Sequence, residues 1–270
     1  MAAILEVFWI GFFLSAILQA GGVPRGLYNN LDPAADLLKK HLPYSIDMSH
    51  SPLKCDRILV NRAYLSCYNY QTNTSLWSSY TITQEEASQQ GKRFSRFLYD
   101  NRLPKRHRIK PTDYAGSRLD RGHLMPNALV DGSDPVRQGQ TFLMSNIAPQ
   151  NPKLNREGWA ALERAVRKWL QRHKKLNVIT GVWFDSSSPP LYIGRRKQQK
   201  IAVPTWWYKI ILDPAEGKSM AFWMPNKPIS KRDWFRYRTS IEAIEHKTGI
   251  LFYPSYTHEG FDPKDSSSRF

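Results

Sequence analysis

One amphipathic helix constrains the fold of this chain more than any other stretch of its sequence. Between about residues 155 and 173, apolar side chains recur at three- and four-residue intervals, the period of a helix with one buried face: Trp159, Leu162, Val166, Trp169 and Leu170. The remaining positions of this segment are strongly basic. Such a helix cannot bury its apolar side alone, so the fold must supply a second layer against which it packs.

Most of the other regular segments are predicted to be strands. Runs of β-branched and aromatic residues predict strands at 57–60, 63–68, 76–82, 176–183, 201–212 (interrupted by Pro204), 219–224 and 252–253. A short helix is predicted at 34–41 and a longer one at 231–248, ended by Gly249. Because helices and strands do not alternate in a βαβ order, the pattern indicates an α+β fold with a mainly antiparallel sheet.

The domain organisation follows from the absence of repeats and linkers. The 270 residues contain no internal repeat and no long low-complexity linker, and 41% of them are hydrophobic, which excludes global disorder. We therefore expect one folded domain at 56–258, preceded by a lead-in at 23–55 and followed by a flexible tail at 259–270.

The N-terminus carries a predicted targeting signal. Residues 7–18 form an apolar run that is shorter than the ~20 residues of a membrane-spanning helix and is followed by small residues. This pattern predicts a signal peptide at 1–22 and a secreted protein. Because Glu6 precedes the run and no basic residue does, an uncleaved membrane anchor and retention in an organelle remain as alternatives.

Two further features concern covalent modification. Cys55 and Cys67 are the only cysteines; in an oxidising compartment they would form one disulfide, and the alternative is two free buried thiols. Asn73 begins the triplet Asn-Thr-Ser, an acceptor pattern for N-glycosylation of secreted proteins.

The charge of the chain indicates a polyanionic partner. Lysine and arginine number 39 against 23 aspartate and glutamate, a net charge of +16. Nucleic acids, sulfated sugars and anionic membranes all attract such a surface, so charge alone does not choose among them. Because a phosphodiester gains negative charge during cleavage, four arginines are candidates to contact it: Arg93, Arg96, Arg121 and Arg167.

His123 is the first candidate for acid–base chemistry. It ends the tetrapeptide Asp120-Arg121-Gly122-His123 in a loop-like stretch. An ordinary imidazole pKa of about 6.5 allows it to accept a proton from water at neutral pH. A surface or capping role is the alternative. No two histidines have an HExxH-type spacing, so a two-histidine metal site is not indicated.

Asn155, Glu163 and Arg167 share roughly one side of the basic helix. The neutral amide oxygen of Asn155 suits Mg²⁺, which keeps most of its water shell and retains its charge for polarising a phosphate. Glu163 would accept hydrogen bonds from water molecules bound to the metal. The alternatives are that Asn155 caps the helix and that Glu163 and Arg167 form a solvated i,i+4 pair.

Taken together, these residues match the pattern of one enzyme family. The tetrapeptide resembles the DRGH signature of the DNA/RNA non-specific endonucleases of the Serratia nuclease and endonuclease G type. Downstream, the chain resembles that family's N-x-x-P-Q…L-N…W…L-E segment with its spacing intact: Asn146, Pro149-Gln150, Leu154-Asn155, Trp159 and Leu162-Glu163. The resemblance extends from about residue 63 to residue 253.

The resemblance implies a fold and a reaction. The fold would be a ββα-metal (His-Me finger) motif within a larger layered domain whose mainly antiparallel central sheet is flanked by helices. The reaction would be hydrolysis of phosphodiester bonds in DNA and RNA, without sequence specificity and with 5′-phosphate ends. No small-molecule cofactor is implied, and whether the chain forms a homodimer stays open.

The resemblance also implies a role for each site residue. His123 would be the general base that activates water, and Asn155 the one direct protein ligand of a hydrated Mg²⁺, with Mn²⁺ as the alternative ion. Asn146 and Glu163 would support the site.

The arginines complete the implied site. Arg121 and Arg167 would contact the phosphate, and the family's upstream arginine corresponds to Arg96 or, because local lengths differ, to Arg93. The rival interpretation is a catalytically silent protein that binds nucleic acid or another polyanion with the same fold. The presence of all the acid–base and metal residues argues against it.

Overall fold

The structure is a computed structural model that describes residues 27, 34–89, 96–130, 134–185, 187, 189–195 and 200–254. The predicted signal peptide at 1–22, the predicted tail at 259–270 and Arg93 lie outside these residues. Within the described ranges, no helix has the length and apolar character that a membrane crossing requires.

The elements are labelled in chain order. The strands are β1 (Ile46–Asp47), β2 (Arg57–Val60), β3 (Leu65–Asn69), β4 (Thr74–Thr83), β5 (Asp120–His123), β6 (Ile147–Gln150), β7 (Lys175–Trp183), β8 (Tyr192–Ile193), β9 (Ile201–Ala202), β10 (Trp206–Asp213), β11 (Lys218–Pro225), β12 (Arg238–Thr239) and β13 (Leu251–Phe252). The α-helices are α1 (Ala34–His41), α2 (Gln84–Ser88), α3 (Pro135–Thr141), α4 (Ala160–His173) and α5 (Ile241–Thr248). A π-helix, Leu154–Trp159, leads directly into α4.

In the described part of the chain, the centre of the fold is a seven-stranded antiparallel sheet in the order β12-β11-β10-β7-β4-β3-β2. Side chains alternate between its two faces along β10. Trp207 and Lys209 point towards Trp159 of the π-helix, whereas Tyr208 packs on Phe252 of β13 with 5.7 Å between ring centroids. The sheet therefore separates two layers.

Helix α4 forms one of these layers, and the other is built by α1, α5 and the β1–β13 pair. Leu162, Val166 and Leu170 of α4 are buried against the sheet, as the apolar spacing predicted. On the opposite side α1 contacts β4, and α5 contacts β11. Each large apolar side chain buried in this way contributes about 1.5–3 kcal/mol. The predicted α+β class with a mainly antiparallel sheet is confirmed.

The predicted helix at 231–248 is wrong as a single element. Its first part forms a short 3₁₀ turn, Trp234–Tyr237, followed by β12, which pairs with the edge of β11. The hydroxyl of Ser240 then accepts a hydrogen bond from the Ala243 N–H and caps α5. Apolar spacing continues across this break, which is why periodicity predicted one helix. The interruption at Pro204 is confirmed, since it separates β9 from β10.

The lead-in is tied into the same domain. Helix α1 packs against β4, and β1 pairs with β13 at the far end of the described chain. The predicted disulfide between Cys55 and Cys67 is present, with 5.3 Å between the Cα atoms, and it closes a loop that contains β2. Closing a loop of this kind restricts the unfolded chain and so stabilises the folded one.

The structure argues against the predicted glycosylation of Asn73. The side chain is buried, and its amide nitrogen donates to the Lys200 carbonyl at 2.8 Å. Its amide oxygen lies 2.7 Å from Nδ1 of His107. A glycan on this nitrogen would break the contact with the Lys200 carbonyl.

Candidate active site

The DRGH stretch is a strand and not the predicted loop. β5 pairs antiparallel with β6, so that Gly122 lies opposite Ala148. A side chain at Gly122 has no room, because a Cβ atom there would come within 2.3 Å of Gln150 Oε1 and 2.9 Å of the Trp207 ring. The β5–β6 pair thus lies directly against the central sheet. The two strands and the helix that follows form a ββα unit.

The Asn155 side chain is not the N-cap of the basic helix and can therefore contact other groups. Asn151 caps the helix: its side-chain oxygen accepts from the N–H groups of Lys153 and Leu154 at 3.0 and 3.3 Å. The alternative that Asn155 is the cap is therefore wrong. Asn155 lies within the π-helix, with its own N–H bonded to the Asn151 carbonyl at 2.9 Å.

Asp120 fixes the orientation of the Asn155 amide. Nδ2 of Asn155 donates to Oδ2 of Asp120 at 2.9 Å. Because only the nitrogen of an amide can donate, the oxygen of Asn155 is turned away from Asp120. Arg156 also binds Asp120, with Nε at 2.8 Å from Oδ2 and Nη2 at 2.7 Å from Oδ1. Burial tends to raise the pKa of Asp120, but hydrogen bonds from Arg156 and Asn155 outweigh it and lower that pKa.

Asn155 and Asp120 line a cleft of about 410 Å³. Arg121 and Phe97 line it as well, together with Tyr114 and residues near it. The cleft thus combines an oriented amide oxygen with a guanidinium group. Neutral and anionic oxygen donors are the ligands that a hard cation such as Mg²⁺ takes, so the residues present fit such an ion.

Aromatic rings hold His123 in place. Its imidazole packs against Phe97 and Phe142, with ring centroids 5.5 and 5.3 Å apart. Phe97 also carries the guanidinium of Arg121, 4.4 Å above its ring centroid. One phenyl ring thus contacts both the predicted general base and a predicted phosphate-binding arginine. We expect this packing to limit the orientations that the imidazole can adopt.

Asn146 supports the segment that follows His123. It is fully buried, and its amide nitrogen donates to the carbonyls of Met125 and Thr141 at 2.9 and 2.8 Å. Its side-chain oxygen accepts from the Met125 N–H at 2.9 Å, and its backbone carbonyl accepts from Leu124 N–H at 2.9 Å. Its contacts therefore fix the chain just beyond β5.

Two charged side chains, Lys209 and Glu163, lie near Trp159; Lys209 is fully buried and Glu163 is half-buried on α4. The Lys209 ammonium lies 4.8 Å from the Trp159 ring, donates to the Thr180 hydroxyl, and is 3.5 Å from the Tyr80 hydroxyl. Burial raises the pKa of Glu163, and the positive charges of Lys209 and then Arg167 oppose that rise. The sequence did not single out Lys209 for chemistry, although one lysine within the apolar strand β10 is an unusual signal.

The buried Lys209 should make stability depend on pH. Burial lowers its pKa from 10.5 to about 8, so between these values the unfolded chain holds more protons than the folded chain. The contribution of Lys209 to the free energy of unfolding should therefore rise with pH above about 8, by up to about 1.4 kcal/mol per pH unit, and it is read from the difference between the wild type and Lys209→Met. Lys209→Met should lack this rise. Urea unfolding of both proteins at several pH values between 7.5 and 10 measures it, and parallel curves would contradict the assignment.

The remaining predicted arginines have different surroundings. Arg96 is exposed beside Phe97, which lines the cleft. Arg121 is exposed within the cleft, and Arg167 is half-buried on α4. Sequence reasoning missed the role of Arg156, although this residue follows Asn155 directly.

A second group of ligand-type side chains lies at the opposite end of α4. Nδ1 of His173 is 2.6 Å from Asp213 and 3.6 Å from Glu216. Asp213 also accepts from the N–H groups of Ala215 and Glu216, and Glu216 pairs with Lys218 at 2.8 Å. These contacts explain the group as a turn whose backbone N–H groups are bound by Asp213. None of its three residues lines the cleft.

The chain is similar to known proteins over most of its length. The model of the DNA/RNA non-specific endonuclease family matches residues 47–258. Human mitochondrial endonuclease G is 32% identical over 206 aligned residues, which cover 72% of this chain and 68% of that protein. Mitochondrial nuclease 1 of Schizosaccharomyces pombe is 29% identical over 215, covering 71% of this chain and 64% of the relative. A nuclease of Nostoc sp. is 30% identical over 208, covering 72% of both.

A solved structure shares the fold. The crystal structure of the EndoG/EndoGI complex matches with a TM-score of 0.71 and 24% identity, and the match covers 82% of this chain and 92% of that chain. At this identity the likeness concerns the fold, and it agrees with the predicted ββα-metal arrangement.

Proposed function

Since the chain belongs to the DNA/RNA non-specific endonuclease family and is therefore a nuclease, we propose that it hydrolyses phosphodiester bonds of DNA and RNA without sequence specificity. The observation that supports this most is the Asn155–Asp120 hydrogen bond at 2.9 Å, because it turns an amide oxygen away from Asp120 in a cleft that also contains Arg121. An amide oxygen that suits a hard cation and a guanidinium group that suits a phosphate thus line the same cleft.

In this proposal His123 supplies the base. An imidazole nitrogen accepts a proton from water while the water oxygen attacks phosphorus. The bond from phosphorus to the 3′-oxygen breaks, and that oxygen takes a proton from solvent, which leaves a 5′-phosphate. Phe97 and Phe142 restrict the imidazole to a narrow range of orientations, so that little ordering is required during the reaction.

The arginines stabilise the charge that develops on the phosphate. Arg121 is exposed in the cleft, and Arg96 and Arg167 are the further candidates. The net charge of +16 attracts the nucleic acid backbone irrespective of sequence, and this attraction should weaken steeply as salt is added.

Asn155 is the residue that would hold a divalent cation, Mg²⁺ or Mn²⁺. When bound there, such an ion would neutralise charge on the phosphate and on the leaving oxygen. Asp120 keeps the Asn155 amide in the required orientation. Glu163 lies on α4 near Trp159 and Lys209, and in this proposal it supports the site from α4.

A plasmid-nicking assay tests the function directly. In the presence of Mg²⁺ the purified protein should convert supercoiled plasmid to nicked and linear forms, and it should also degrade RNA. An excess of chelator should stop both reactions, and added Mg²⁺ should restore them. A protein that shifts plasmid in a gel yet leaves it intact with Mg²⁺ and with Mn²⁺ would be the silent binder instead.

We propose that the protein is exported through its N-terminal segment, and organelle retention is the alternative. The Cys55–Cys67 disulfide supports an oxidising compartment. The alternative is supported by relatives that are named mitochondrial. N-terminal sequencing of the mature protein, combined with cell fractionation, distinguishes the two. Sedimentation of the same sample decides whether the protein is a homodimer.

A further inference from the structure

Arg156 occupies both oxygens of Asp120. Its guanidinium forms two hydrogen bonds of 2.8 and 2.7 Å, one to each oxygen. Oδ2 also accepts from the Asn155 amide at 2.9 Å. A carboxylate offers about four acceptor positions, and three are taken here by N–H groups. Three N–H groups of Arg156 and Asn155 thus occupy most of the acceptor positions of Asp120, although Asp120 lines the same cleft as Asn155.

This engagement has a consequence for a cation in the cleft. A carboxylate is a stronger ligand for Mg²⁺ or Mn²⁺ than an amide oxygen, because it adds a full negative charge. Asp120 and Asn155 line the same cleft and are in direct contact, so an Asp120 released from Arg156 could turn toward an ion held by Asn155. The positive charge of Arg156 and its two hydrogen bonds compete with that role.

We propose that Arg156 sets the ligand number of the cation site: by holding both oxygens of Asp120 it confines this carboxylate to orienting Asn155 and keeps it from binding the ion. Arg156 is a positioning residue in this scheme. The inference rests on the proposed function, since it assumes a cation at Asn155. Removing Arg156 should disturb the fold little, because its side chain is 70% exposed.

Titration of the full chain with Mn²⁺, followed by the loss of the free-ion electron paramagnetic resonance signal, tests the proposal without relying on activity. Arg156→Ala should bind Mn²⁺ about tenfold more tightly than the wild type, because Asp120 becomes available as a ligand. Lys153→Ala is the matched control. It removes the same charge from an exposed residue of the same helix start, and it should change affinity by less than about twofold.

Two further variants test whether the charge of Asp120 causes the tighter Mn²⁺ binding. Asp120→Asn combined with Arg156→Ala should return the affinity to near that of the wild type, because the new side chain can still accept from Asn155 but has no charge. Arg156→Gln serves as a second single variant should the alanine protein be poorly folded, and it should also bind more tightly than the wild type.

The outcomes distinguish this inference from the function on which it rests. Equal effects of Arg156→Ala and Lys153→Ala, or weaker binding by Arg156→Ala, would overturn the ligand-number proposal alone, provided that Asn155→Ala abolishes Mn²⁺ binding. If Asn155→Ala leaves Mn²⁺ binding unchanged, the cation site itself is misplaced and both proposals fail.

Discussion

Replacing His123 by alanine is expected to lower turnover by about 10²–10⁴-fold while leaving the affinity for DNA nearly unchanged. Alanine cannot accept the proton of the attacking water, so the chemical step loses its base. Binding depends on other groups, chiefly Arg121 in the cleft and the overall charge of +16. The imidazole packs against Phe97 and Phe142, and its removal opens a small gap without breaking the β5–β6 pair.

The measurement is the rate of plasmid nicking at saturating Mg²⁺, together with DNA affinity measured in the presence of chelator. His246→Ala is the matched control, because this exposed histidine lies on α5, on the other side of the sheet from α4. It should nick plasmid at the wild-type rate. Full activity in His123→Ala, or an equal loss in both variants, would remove His123 from the reaction.

Introducing a methyl group at Gly181 is expected to destabilise the fold by about 3 kcal/mol or more. Gly181 lies in β7 opposite Tyr208, and a Cβ atom there would come within 2.1–2.5 Å of the Tyr208 ring. The ring cannot move away easily, because Tyr208 is fully buried and packs on Trp223 and Phe252 at 5.9 and 5.7 Å. The strand would have to shift within the centre of the sheet.

Urea unfolding of Gly181→Ala against the wild type gives the free energy of unfolding. Gly116→Ala provides the comparison: an added Cβ at Gly116 meets no atom within 4 Å, and only its φ of +78° opposes the substitution. That change should cost about 1 kcal/mol. If the two variants lose similar stability, close packing at Gly181 is not the dominant effect.

The central part of the fold could be predicted because its signals are local. The apolar spacing of α4 and the β-branched and aromatic runs of β4, β7, β10 and β11 show, within each segment alone, which side chains are buried. The segment at 231–248 failed for the opposite reason. Its break depends on the pairing of β12 with a strand edge, which periodicity does not record, although Ser240 is a recognisable cap residue.

The site could be predicted in its residue types but not in its contacts. The resemblance supplied His123 and Asn155, yet the sequence left open whether Asn155 was a helix cap. That question was decided by Asn151, which takes the cap, and by Asp120, which binds the amide from 35 residues away. A hydrogen bond across such a separation depends on the folded arrangement, and no spacing rule within one element contains it.

The π-helix before α4 makes the chain length at this point part of the site. A π-helix holds more residues per turn than an α-helix, so the loss of one residue between Asn155 and Trp159 would tighten this turn toward α-helical geometry and displace Asn155 relative to the buried face of α4. The amide would then leave Asp120, while Trp159 stayed anchored on Trp207. Substitutions along this turn should therefore be tolerated more readily than the insertion or deletion of a residue. A change of length here would alter the ligand geometry even if every residue of the site were retained.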